Sequence, residues 1–311
     1  MPELTPMADA LQLIGEDPMA VLGPESAHLV AYGRQLASLQ SVPGVTVLAS
    51  SEMGVIKARV VVAEGKKIAP PVHLCFGLFE PFGTQVVELN VVLEPGSGVT
   101  LWSHCLFTEA EEATHAMTAR IEIQADASLI YQEAHYHGVS GGIRVLPRAT
   151  VKLGPRARYK ADFSLVQGRV GTLDIDYTVD VAEHAVAELT SKVYGYGTDA
   201  IRIREQVNLN GEGARGLVKT RVAARERATA EVIGVTHGNA AGARGHVDCM
   251  EVVRDHAVVS AIPEVKVTHP QAKVTHEAAI GSVDSKQLET LMARGLDPES
   301  AVDLIIRGML T

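Results

Sequence analysis

Between Val45 and Val267 the apolar positions fall in short runs of Val, Ile and Leu, and polar or glycine-rich clusters break each run. The segments VTVLA, KARVVVA, VHLCFG, QVVELNVVLE, ASLIYQEAHYHG, TLDIDYTVDV and AVAELTSKVYG read as strands, and EPGSG, GVSGG, LGPRAR and NGEGARG read as the turns between them. Within this stretch, Glu111 to Ala119 reads as a short helix. The body is therefore expected to be mainly β, with many rungs.

Both ends carry a different pattern. Thr5 or Pro6 can open a helix through ADALQLIG. A second helix is expected in ESAHLVAYGRQLASLQ after Pro24, because Leu29, Leu36 and Leu39 recur at helix-like spacing. Ser41-Val42-Pro43-Gly44 then marks a turn. Near the carboxyl end, Asp284 and Ser285 offer an N-cap for KQLETLMAR, with Gly295 just past its end. Asp297-Pro298 caps a last helix with an apolar stripe of Val302, Ile305 and Ile306. The expected organisation is a helical segment over 1–43, a β core over 44–280 and a helical segment over 281–311. Helices this short cannot hold themselves together, so the last two must pack on the body or on a partner.

One internal echo sharpens the β reading. Gly213-Ala-Arg-Gly216 leads into LVKTRV, and Gly242-Ala-Arg-Gly245, 29 residues later, leads into HVDCMEV. A glycine-rich corner that feeds a strand at a fixed period suits a solenoid, in which each coil buries its inner face on its neighbours. A sandwich or jelly roll remains open at this point.

Composition agrees with a globular β protein: 46% of residues are hydrophobic and only 4% aromatic. The formal net charge of −9, with no Lys/Arg-rich run, argues against a general nucleic-acid binder. No apolar stretch approaches the roughly 20 residues that cross a bilayer, and the acidic N-terminus lacks the features of a secretion signal. The expected location is cytoplasmic. Three cysteines, Cys75, Cys105 and Cys249, do not make a disulfide framework.

Chemistry-bearing motifs are few. Gly211-Glu-Gly213-Ala-Arg-Gly216 matches GxGxxG, but LVKTRVA after it reads as a strand, so a sharp turn is expected and not a dinucleotide site. No P-loop motif occurs. Glu133, His135 and His137 alternate along a strand and share one face, either as a metal-binding set or as a polar outer surface. His246, Asp248, Cys249, Asp255, His256, His269, His276 and Glu277 gather near the carboxyl end, and their thiolate, imidazole and carboxylate groups suit iron or zinc.

The segment PEVKVTHPQAKVTHEAAIGSVDSKQLETLMARGLDPESAVDLIIRGML resembles the C-terminal signature of the SufB/SufD family of iron–sulfur cluster assembly proteins. The matching residues are Ala272, Val274, His276, Glu277, Ala278, Gln287, Leu288, Arg294, Gly295, Ala301 and Gly308. The family's aromatic in the LETL region is missing, and Met309 stands where it has Phe. HLCFG, EAHYHGVSGGIRVLPRA and GHVDC upstream are similar to short members, and the chain has the look of a minimal form that does the work of both subunits. The resemblance implies a right-handed parallel β-helix flanked by helical segments, and a scaffold whose ATPase activity lies in a partner. It implies a transient iron–sulfur cluster at the interface of two paired subunits, as a homodimer or a SufB/SufD-like heterodimer. It also implies a SufC-like ABC-type ATPase docked on the C-terminal helices, where Leu288, Leu291, Met292, Val302, Ile305 and Ile306 are the candidates. The family's cluster ligands fall here on Cys249, His276 and Glu277. Cys249 lies one residue past the family's cysteine, a shift that turns a strand side chain to the other face, so His246 is the substitute ligand. Two rival readings accompany this one. One is a metal-dependent enzyme in which Glu133, His135 and His137 hold a divalent ion. The other is a structural SufD-like partner without its own cluster.

Overall fold

The computed structural model describes residues 4–310. Two short helices, α1 (Thr5–Leu13) and α2 (Pro18–Leu22), lead into the antiparallel hairpins β1 (His28–Tyr32) with β2 (Gln35–Gln40) and β3 (Val45–Glu52) with β4 (Val55–Val62). The strands that follow are β5 (Val72–Gly77), β6 (Phe82–Leu93), β7 (Gly98–Phe107), β8 (Glu112–Ile123), β9 (Ser128–His137), β10 (Ile143–Leu153), β11 (Arg158–Gln167) and β12 (Thr172–Val181). The series continues with β13 (Val186–Gly195), β14 (Ala200–Leu209), β15 (Arg215–Ala224), β16 (Thr229–Gly238), β17 (Arg244–Val253), β18 (Val258–Val267) and β19 (Lys273–Gly281). Helices α3 (Ser285–Ala293) and α4 (Pro298–Leu310) close the described chain.

From β5 onward the chain alternates between two sheets. The odd strands from β5 on join β1 and β2 in a sheet of ten, and the even strands from β4 on join β3 in a sheet of nine; β5 pairs in parallel with β1, and each later strand with the strand two before it. The result is a β-solenoid of about eight turns with 58% of residues in strands. Arg215 lies beside Arg244 and Arg244 beside Lys273, so the 29-residue echo is one coil. Alternation along each strand sends every second side chain inward: in β12, Leu173, Ile175, Tyr177, Val179 and Val181 are buried while Asp174, Asp176 and Asp180 face out. The inward rows of Val, Ile, Leu and Ala from both sheets form one continuous core.

The coil corners explain the glycine clusters. Asp126, Arg156, His184 and Gly213 all take positive φ, and their amides donate to Pro155, Glu183, Glu212 and Ala241 of the following coil. At Gly211 a Cβ would lie 2.0 Å from the amide nitrogen of Glu183, so the neighbouring coil admits only glycine there. The GxGxxG match is thus a coil corner that enters strand β15, as the sequence suggests.

Two helical expectations fail. Residues 28–40 are the strands β1 and β2, not a helix. Gly33, at φ +53, turns the chain between them, and Leu29 and Ala31 enter the solenoid core while Val30 packs outward against α1. A strand buried on both faces shows no period-two polarity, and this left the leucine spacing to suggest a helix. In the stretch from Glu111 to Ala119, residues 112–119 likewise belong to β8, whose inward positions Ala113, His115, Met117 and Ala119 alternate cleanly.

The terminal helices pack on the outer face of the ten-stranded sheet. Met7, Ala10 and Leu11 cover Val30, Cys75 and Leu106. At the other end Val302, Ile306 and Leu310 of α4 cover Tyr194 and Ala223, and Glu299 reaches Arg225 and Arg254, the latter at 2.7 Å. The caps of α3 and α4 fall where the sequence places them: Asp284 accepts from the Gln287 amide, and Asp297 from the Glu299 and Ser300 amides. Among the described residues no helix is long and apolar enough to cross a membrane.

Candidate functional site

Two groups of metal-ligating side chains occupy different parts of the solenoid. The first lies at its last coils. Strands β17 and β19 are neighbours in parallel, with Val247 beside His276, Asp248 beside Glu277 and Cys249 beside Ala278. The register runs unbroken from Arg244 to Val252, so no bulge re-aims a side chain here. Cys249 therefore points into the core with Val247 and is 2% exposed. His276 shares that inward parity, but no further coil covers it and it is exposed. His246 and Glu277 stand on the opposite, outer face, with His246 Nε2 3.9 Å from a Glu277 oxygen and Nδ1 2.9 Å from the Thr275 hydroxyl. The four C-terminal residues singled out from sequence are thus brought onto two adjacent strands, divided between two faces.

The Cys249 thiol is pushed up to about 12, first by burial and then by the nearby carboxyls of Glu251 and Glu205. A polar line runs inward from it. Cys249 stands beside Thr220 and Thr220 beside Ser191, and Ser191 and Thr220 both donate to Glu205, at 2.7 and 3.5 Å. Glu251, two residues on, is buried with neither carboxylate oxygen hydrogen-bonded. Burial raises Glu205 and Glu251 to about 7, so both lean toward the neutral acid.

Beyond this coil the solenoid ends. The outermost strands β18 and β19 expose apolar side chains, among them Val258 (64%), Val267 (47%) and Ile280 (50%). Of the residues expected to meet an ATPase, Val302 and Ile306 are buried against the body, Leu288, Leu291 and Ile305 are half-buried, and Met292 is exposed.

The second group lies deep between the sheets. Glu133, His135 and His137 share the interior face of β9, as their spacing predicts, and none forms a polar outer surface. His135 Nε2 is 2.9 Å from Glu133 Oε1, and the Tyr131 hydroxyl donates to the other carboxylate oxygen at 3.1 Å. Cys105 of β7 stands beside His135, and one ligand atom each from Cys105, Glu133 and His135 lie within 4.8 Å of one another. His115 of β8 approaches from the opposite sheet, its ring centroid 6.2 Å from that of His135. Burial pushes His115 and His135 down to about 3, Glu133 up to about 7 and the Cys105 thiol up further than its ordinary range. Sequence reasoning missed Cys105 and His115. Both stand where the coil repeat would put them: Cys105 is one coil before His135, and His115 one coil after Gln85, to which it is hydrogen-bonded.

Comparison with known proteins agrees with this architecture. Residues 80–309 match the family model for the SufBD core domain of the SUF system of FeS cluster assembly. An iron-sulfur cluster assembly SufBD family protein of Methanocaldococcus jannaschii is 36% identical over 308 residues, covering 99% of this chain and 98% of that one. Another, from Pyrococcus horikoshii, is 34% identical over 291 residues, covering 94% and 89% respectively. A third, from Archaeoglobus fulgidus, is 25% identical over 249 residues, covering 79% and 66%. With a solenoid of stacked coils, a matching core domain and relatives of its own length, the chain belongs to the SufBD family of iron–sulfur cluster assembly proteins.

Proposed function

We propose that the chain is a scaffold on which a nascent iron–sulfur cluster is built, held at the open C-terminal end of the solenoid where two subunits pair. The observation that carries this reading is the meeting of Cys249, His246, His276 and Glu277 on the last two strands of one sheet, next to an unpaired edge. A mixed set of thiolate, imidazole and carboxylate ligands from each subunit would hold a cluster less firmly than the four cysteines of a storage ferredoxin, which suits a cargo that must leave. A second copy related by a two-fold axis doubles the ligand set and covers the exposed Val258, Val267 and Ile280.

Cys249 cannot ligate iron from where it lies. Its side chain points into the core, whereas His246 and Glu277 stand on the outer face and His276 is in solvent. The proposal therefore requires the last coil to shift before the thiolate joins the exposed ligands. A SufC-like ABC-type ATPase is the proposed source of that shift, docked on α3 and the outer side of α4 through Leu288, Leu291, Met292 and Ile305. ATP binding would then favour the open state through contacts made only in that state. Val302 and Ile306 tie α4 to the solenoid, so motion of the docked helix is passed to β13 and β15 beneath it.

The test is anaerobic reconstitution with iron and sulfide, followed by absorption and Mössbauer spectra on wild type and on Cys249→Ala. The expected result is a labile cluster in wild type that the variant loses. A cluster unchanged in Cys249→Ala would remove Cys249 from the ligand set, and absence of any cluster in wild type would favour a structural partner subunit.

A further inference from the structure

The buried imidazoles near β9 are fixed by hydrogen bonds that decide which ring nitrogen carries the proton. The Arg169 carbonyl can only accept, so His137 Nδ1, 3.2 Å away, is the protonated nitrogen. His137 Nε2 must then accept from His135 Nδ1 at 3.2 Å. His135 is left with a bare Nε2 lone pair, aimed at Glu133. The same logic applies across the interior. Gln85 Nε2 donates to the Gly33 carbonyl at 2.9 Å, so its oxygen faces His115 Nδ1, also at 2.9 Å, as an acceptor. His115 Nε2 is therefore a lone pair as well, and it is buried with no hydrogen-bond partner. Two neutral imidazoles thus present bare Nε2 atoms in a closed space that also holds a thiol and a carboxyl. Each has its other nitrogen anchored by an amide oxygen or a histidine, the arrangement that orients metal-ligating histidines.

From this geometry we infer that the solenoid interior is a binding site for one resident divalent transition-metal ion of the zinc or ferrous class, held by the Cys105 thiolate, the Glu133 carboxylate, His135 Nε2 and His115 Nε2. A thiolate and a carboxylate on a dication give a neutral centre, which removes the cost of placing either anion alone in this interior. Loading is a ligand exchange without electron transfer: the S–H of Cys105 and the O–H of protonated Glu133 break, their protons leave to solvent, and the metal takes both positions. The ion would join the two sheets, because Cys105, Glu133 and His135 belong to one and His115 to the other. It is separate from the proposed cluster position. Phe163, Ser191 and Thr220 occupy the ladder steps between Glu133 and Cys249.

Cobalt is the probe. The full chain, produced in cobalt-supplemented minimal medium and desalted, should retain about one equivalent of Co²⁺ with tetrahedral d–d absorption and a thiolate-to-cobalt charge-transfer band. Cys105→Ser should abolish the charge-transfer band, Glu133→Gln should lower cobalt retention at least tenfold, and Cys249→Ser should leave both unchanged. Wild type stripped by a strong chelator should melt several degrees below the cobalt form, a readout that needs no variant to fold. Loss of the band in Cys249→Ser but not in Cys105→Ser would overturn the inference, as would a wild-type chain that retains no cobalt and melts at the same temperature in both states. Because the reconstituted cluster is read separately through Cys249→Ala, failure of one site does not mimic failure of the other.

Discussion

The closed interior around β9 and the open end at β17 and β19 use the same residue types to opposite effect. In the interior, Cys105, His115, Glu133 and His135 are covered on all sides, so burial shifts each toward its neutral form and hydrogen bonds fix the ring tautomers. At the open end the solenoid simply stops: His276, on the inward side of β19, lies in solvent because no coil covers it, and Glu277 stands on the outer face. For an inward residue such as His276, what differs is whether another coil follows. A solenoid coil gains its environment from its neighbours, so the last coil is the place where a partner can complete a site.

The most forceful way to test this contrast is to remove equal kinds of packing from both regions. Phe107 is fully buried and its ring lies 4.9 Å from His115, 5.9 Å from His135 and 5.4 Å from His137. Phe107→Ala should destabilise the chain by about 3–5 kcal/mol in urea unfolding, through lost transfer energy and a cavity. Ile280→Ala on β19, already 50% exposed, should cost less than about 0.5 kcal/mol in the isolated chain. Equal losses at the two positions would mean that the end coil is as enclosed as the interior.

How far the sequence foretold this contrast depends on the residue. Strand runs, glycine corners and one repeat pointed to a solenoid but left a sandwich or jelly roll open, and the parallel β-helix followed only from the resemblance to the SufB/SufD family. The helix caps Asp284 and Asp297 were legible because capping is local chemistry. His28 to Gln40 misled because β1 is buried on both faces and so lost the alternation that betrays a strand. The interior set was half legible. Glu133, His135 and His137 shared a face by spacing alone, but whether that face was inner or outer is a property of the whole coil. Cys105 and His115 needed the coil register, and coil lengths vary enough along the chain that one echo near residue 213 did not supply it.

A smaller effect is expected at the helix beside the open end. Val302 is 1% exposed beneath α4, whereas Leu304 on the same helix is 51% exposed. Val302→Asp would bury an unpaired charge, so α4 should instead leave the sheet at a cost of about 2–3 kcal/mol, and limited proteolysis should cut between residues 282 and 297. The solenoid should melt nearly as before. Leu304→Asp should change stability by less than about 0.5 kcal/mol. If Val302→Asp unfolds the whole chain cooperatively, the terminal helix is part of the core and not a collar around the open end.

The finest distinction lies in proton binding. Glu205 sits in the interior with its carboxyl raised to about 7 by burial, while an unfolded glutamate titrates near 4.3. Between those two values the folded chain holds a proton that the unfolded chain has released, so stability falls as pH rises through the window and levels off above about 7. His73 pulls the other way lower down. Burial beside His28 depresses it to about 4, so the unfolded chain binds the extra proton from about 6.5 downward and stability falls as pH drops toward 4. The histidine contribution is fully present above about 6.5, which leaves buried carboxyls to govern the alkaline side. In chelator-treated protein, urea midpoints should therefore be highest near pH 6–6.5 and fall on either side. Glu205→Gln keeps an acceptor for Ser191 but cannot ionise, so it should recover about 1 kcal/mol of the loss between pH 6.5 and 8. Glu133 in the interior and Glu251 near the open end, both also raised to about 7, would account for the remainder. A Glu205→Gln profile identical to wild type above pH 6.5 would mean that the interior carboxyl is already charged at pH 6, and that this stretch of the core is wetter than its burial implies.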